Sequence, residues 1–133
     1  MKRWVLAAAI AWGLIVGGFE TATAQVADTT KPGAESEAAL ITPATIDEGR
    51  KLFHGRGTCS ACHGDKLQGG PIAPALVGPK WRHIDGTLAA IINRIDVGMP
   101  GTVMMPHPGR ITEAQVHLVA SYIYSVSHGK ATP

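Results

Sequence analysis

Cys59-Ser60-Ala61-Cys62-His63 sets two thiols three residues apart with an imidazole beside the second. Thiols at that spacing can each add across one vinyl group of a haem, and the adjoining histidine is then held beneath the iron with a ring nitrogen as ligand. Three other chemistries use the same cysteine spacing. A redox dithiol sits where a helix starts after a strand, and no strand pattern precedes Cys59. A zinc half-site needs a second Cys or His pair, and the chain has 2 cysteines in all. A plain disulfide between Cys59 and Cys62 closes only a short local loop, too short to staple a whole domain. The expected cofactor is one covalently attached haem c, with Cys59 and Cys62 as attachment points and His63 as iron ligand.

The elements that must hold this site are helical. Met1-Lys2-Arg3, an uncharged apolar run from Trp4 to Phe19, and Ala22-x-Ala24 read as a signal peptide over residues 1–24, cleaved after Ala24. The apolar run is short of the roughly 20 residues that span a bilayer. Residues 25–42 are rich in Ala, Thr, Glu, Asp and Pro and read as a flexible leader. The domain is expected over 43–130. Thr45-Ile46-Asp47-Glu48 has the capping-box pattern and predicts a first helix through about Phe53. Gly and Pro punctuate the stretch from His63 to Asp85, which predicts loop. Leu88, Ile91, Ile92 and Ile95 fall on one helical face closed by Gly98. A second loop runs from Met99 to Arg110. Thr112 with Gln115 forms another capping box, and Ile111 can staple onto Val116. Val116, Val119, Ala120, Ile123 and Val126 then make the stripe of a last helix that Gly129 stops. No segment alternates with period two, so the fold class is all-α.

Composition narrows the function further. Of 133 residues 17% are charged and the formal net charge is +2, which is no polybasic footprint for nucleic acid. Hydrophobic residues make up 45%, too many for a wholly disordered chain. Without Lys2, Arg3 and Glu20 the count is 10 − 9 = +1, so long-range steering by net charge is weak. The mature part keeps Phe53, Trp81, Tyr122 and Tyr124 as its aromatics, a thin core for a domain this small. A large apolar cofactor packed against Leu76, Ile91, Ile95 and Val119 would fill the middle that Phe and Trp otherwise occupy.

From about Thr45 to His128 the chain resembles a class I cytochrome c. The likeness rests on Gly49-x-x-x-Phe53, the Cys59 to His63 site, Pro74-x-Leu76-x-Gly78, a methionine loop, and Tyr122 on the last helix. It implies three main helices plus loops wrapped around one covalently bound haem, with Gly49 where the first helix crosses the last. It also implies that the Pro74 carbonyl accepts the proton on the outer ring nitrogen of His63, raising its donor strength. Trp81 and Arg82 are candidates to meet the haem propionates. The sixth iron ligand is Met104 or Met105. Pro100-Gly101-Thr102-Val103-Met104 resembles a forward pattern that selects Met104, whereas Met105-Pro106 and the spacing of 17 to Tyr122 select Met105. A Gly-Thr-Val-Met-Pro-Ala-His loop in cytochrome subunits of haem-copper oxidases aligns without a gap to Met104 and His107, which favours Met104. Met99 is assigned to packing, and His107 is the histidine near enough to substitute as ligand.

The resemblance implies a one-electron carrier, not an enzyme, exported to the periplasm. Its place would be in a respiratory chain, between a dehydrogenase or quinol-oxidising complex and a terminal oxidase or reductase. Two other functions fit the same motif: a subunit held in a larger oxidase or dehydrogenase complex, and a haem protein that binds a small ligand where the methionine is displaced.

Overall fold

The computed structural model describes residues 39–78, 80–107 and 110–133; the segment read as a signal peptide and most of the one read as a leader lie outside the described residues. The helices that lie wholly within the described residues are, in order, α1 (Pro43–His54), α2 (Ser60–His63), α3 (Leu88–Val97) and α4 (Glu113–Ser127). No strand occurs among the described residues, and the all-α expectation holds.

The start of α1 differs from the sequence reading. Thr42, not Thr45, is the N-cap: its hydroxyl accepts from the Thr45 N–H, and the Thr45 hydroxyl accepts from the Thr42 N–H. Two capping patterns overlap here, and Pro43 decides between them. Proline has no N–H to satisfy and a preset φ, so it suits the first helical position. Leu40 and Ile41, assigned to the leader, pack against the core. Glu48 is exposed and has no part in the cap. Thr42→Ala should therefore cost about 1 kcal/mol in a urea melt while Glu48→Ala stays within about 0.5 kcal/mol of the parent.

The other two long helices begin and end where the sequence places them. Thr87 caps α3 through the Ala90 N–H, and Gly98 follows its last residue with a φ of 66°. Thr112 and Gln115 form the reciprocal box at α4, with Ile111 and Val116 both buried. The stripe of α4 is buried as read, and Ser121, Tyr122 and Ser125 are buried as well. The reason is that α1 and α3 both pack on α4, so a single apolar face does not suffice.

Gly49 marks the crossing of α1 over α4. A Cβ there would fall onto the Leu118 carbonyl and lie 2.9 Å from the Tyr122 Cβ. The helices can touch backbone to backbone only because that atom is missing. Around the crossing, Phe53 meets Tyr122 edge to face at 5.5 Å between centroids, and the Arg50 guanidinium lies over the Tyr122 ring at 5.6 Å. Arg50 also donates to the Thr132 carbonyl at 2.8 Å, which ties the C-terminal segment to α1.

Candidate functional site

Between α3, α4 and the two long loops the chain forms a cavity of about 410 Å³ that is partly open to solvent. Cys59, Cys62 and His63 all line it. Cys62 and His63 stand on α2, a single turn that the sequence reading did not single out, and Cys59 is its N-cap. Thr58 enters that turn with a φ of 54°, and Gly64 leaves it with a φ of 78°. Both thiols are free and half-buried. Burial pushes the Cys59 thiol up to about 11, from 9.0. A thiolate is disfavoured there, whereas a thioether carries no charge to desolvate.

His63 is 9% exposed, and its Nδ1 lies 2.9 Å from the Pro74 carbonyl oxygen. A carbonyl only accepts, so Nδ1 must carry the proton and Nε2 keeps its lone pair. That nitrogen is the one a metal would use. Gly69 brings Pro74 within reach: with a φ of 79° it donates its N–H to the His63 carbonyl at 2.7 Å, and a Cβ there would lie 2.7 Å from the Pro74 carbonyl carbon. The glycine turn and Pro74 therefore orient one imidazole together.

The methionine loop lines the same cavity through Met99, Met104 and Met105. Met104 is half-buried and held by its backbone on both sides. Its N–H donates to the Thr102 hydroxyl at 3.1 Å, and its carbonyl accepts from the Met99 N–H at 2.9 Å. Gly98 permits this closeness, since a Cβ there would lie 2.6 Å from the Met104 carbonyl oxygen. Met105 is 67% exposed. Met99, assigned to packing, also reaches the cavity wall.

Trp81 and Arg82 both line the cavity, Trp81 half-buried over Gly86 and Arg82 exposed. The sequence reading missed two arginines. Arg94 on α3 lines the cavity, donates from one terminal nitrogen to the Gly98 carbonyl at 3.1 Å, and has a buried Nε with no partner among the described residues. Arg110 also lines it and bridges to the Thr58 hydroxyl at 2.8 Å, linking the edge of the methionine loop to the cysteine turn. Three arginines and no Asp or Glu line the cavity among the described residues. An apolar group that carries carboxylates fits such a wall: two thiols to bind its vinyls, one imidazole lone pair for a metal, and guanidinium donors for its acids.

A family model of cytochrome c matches residues 46–127, which spans this whole arrangement. The chain belongs to the cytochrome c family. This cytochrome has the class I fold, and the family implies a covalently bound haem c. Solved structures of low identity share the fold. Cytochrome cL from the marine methylotroph Methylophaga aminisulfidivorans matches with a TM-score of 0.60 at 20% identity, over 75% of this chain and 71% of that one. Cytochrome cL from Hyphomicrobium denitrificans matches at 0.56 and 18%, over 73% and 60%. A reducing HAO-like protein complex of Kuenenia stuttgartiensis matches at 0.56 and 21%, over 65% of this chain and 45% of that one. No helix among the described residues of the cytochrome is long and apolar enough to cross a membrane.

Proposed function

We propose that this cytochrome is an exported mono-haem one-electron carrier, in which Cys59 and Cys62 would anchor the haem as thioethers and His63 Nε2 and Met104 Sδ would hold its iron. The observation that carries the reading is the shared cavity: the cysteine turn, the oriented imidazole and the methionine loop all open onto one apolar space. When bound, the haem would supply a ferric/ferrous couple, and a thioether ligand together with an imidazole would raise its potential. The chain does the rest. Pro74 fixes the His63 ring through the electron transfer, and the backbone bonds of Met104 hold its loop in place. Arg94 is the partner we assign to a propionate, beside Trp81 and Arg82, because its Nε is already desolvated and unpaired. Ile91, Ile95, Val119 and Ile123 exclude water. With His63 and Met104 both holding the iron, no coordination site would be left for substrate, which fits a carrier and not an enzyme.

Its partners in this reading are an exported dehydrogenase or quinol-oxidising complex on one side and a terminal oxidase or reductase on the other, in the periplasm. Ile72, Val103 and Met105 are exposed at the cavity wall, which suits brief contacts of small area made partly by apolar groups. The ferric spectrum of the purified holoprotein tests the ligand set. The parent should show the weak far-red sulfur-to-iron band, Met104→Ala should lose it, and Met105→Ala should keep it. A parent without the band would favour the ligand-binding alternative, and recovery only in a fixed stoichiometric assembly would favour a complex subunit.

A further inference from the structure

Asp96 and His107 form a pair that the carrier mechanism does not use. His107 Nδ1 lies 2.8 Å from Asp96 Oδ1. The His107 N–H donates to the Ile95 carbonyl at 3.2 Å, and the His107 carbonyl accepts from the Arg110 N–H at 3.1 Å. Three contacts thus fix this one residue of the methionine loop against the end of α3 and the approach to α4. The His107 side chain is 12% exposed, while Asp96 is 51% exposed, so the ring is sunk and the carboxylate stays in water. His107 also lines the cavity, three residues beyond Met104.

An imidazole nitrogen is a good ligand for iron, and a thioether is a weak one. A histidine on the same loop and the same cavity wall is therefore a competitor for the sixth position unless something holds it elsewhere. We propose that Asp96 is a positioning residue whose carboxylate holds the His107 ring at the end of α3 and so reserves the sixth position for Met104. The proposal rests on the ligand reading above. The exchange it prevents is simple: the Nε2 lone pair of His107 replaces the Met104 sulfur lone pair, with no change in charge or electron count.

The 2.8 Å approach is a close contact with a charged group and not an aligned hydrogen bond, and an electrostatic contact at that range biases such a choice by about tenfold. The test uses the holoprotein with Asp96→Ala, Asp96→Asn, and Asp96→Ala combined with His107→Ala. Asp96→Ala should lower the ratio of methionine-ligated to histidine-ligated ferric protein by about tenfold, read as a weakened far-red band and a lower midpoint potential. Asp96→Asn keeps an oxygen at the same place but loses the charge, and should fall between the parent and Asp96→Ala. The double variant should regain the band, because the competing ring is gone; mere loosening of the loop would leave it as weak as in Asp96→Ala. A parental band and potential in Asp96→Ala, or no recovery in the double variant, overturns the proposal alone. A parent that lacks the band overturns the ligand assignment and this proposal with it.

Discussion

Replacing both Cys59 and Cys62 with Ala, in a chain kept free of haem, should abolish the cooperative thermal transition and the near-ultraviolet circular dichroism of the domain. The walls around the cysteine turn bound about 410 Å³. A sealed core void costs about 24 cal/mol per Å³; this cavity is partly open to solvent, so the figure of about 10 kcal/mol that its full volume would give is a ceiling. Whole domains are stable by only about 5–15 kcal/mol. The contacts that remain among Phe53, Tyr122, Val116 and their neighbours cannot carry that deficit in so small a domain. The two thiols matter because they make the filling group part of the chain. A haem-free chain that melts cooperatively would show that the α1/α4 pair and its surroundings suffice without the cofactor.

Gly49→Ala should destabilise the holoprotein by about 2–3 kcal/mol, although the same change at an open helical site gains about 1 kcal/mol. The sign of the effect is the test. Alanine is the better helix former, so propensity alone predicts a higher melting temperature. The added Cβ instead meets the Leu118 carbonyl and the Tyr122 Cβ, and a carbonyl in the middle of α4 cannot turn aside. The helices must part, and Phe53, Tyr122 and Arg50 lose their geometry with them. For a domain of this size each kcal/mol moves the melting temperature by about 4–8 °C, so a drop of ten degrees or more is the expected reading. A rise would mean that the crossing is looser than the structure shows.

Both predictions trace to features that a sequence states plainly, namely a cysteine pair beside a histidine and a glycine four residues before an aromatic. The caps of α3 and α4 were legible for the same reason: Thr87, Thr112, Gln115 and Gly98 act within one turn of their own positions. Local chemistry misled at α1, where two overlapping cap patterns lie three residues apart and Pro43 is what selects the earlier one. What the sequence could not show was the set of residues that depend on distant neighbours. Leu67 is fully buried with a φ of 58°, a lone core residue in a loop with no period to announce it. Arg94 reads as the polar side of α3 until α3 is docked, and Arg110 reads as a surface charge until Thr58 is beside it. The choice between Met104 and Met105 is open by one residue in the sequence, and only the folded loop shows that Met104 is half-buried while Met105 is exposed.

The α1/α4 crossing joins positions 118 − 49 = 69 residues apart and leaves the cavity-forming chain between them as one closed loop. The entropy of closing a loop grows only with the logarithm of its length, about 0.6 kcal/mol per doubling. The stretches before α3 and before α4 can therefore lengthen or shorten without parting the helices that close the ring. Those are the stretches that carry Pro74, Trp81, Arg82 and the methionines. In evolutionary terms the crossing separates what must stay constant from what can drift: iron ligation and the surroundings of its edge can be retuned by insertion and deletion while the clasp that holds the domain together is left alone.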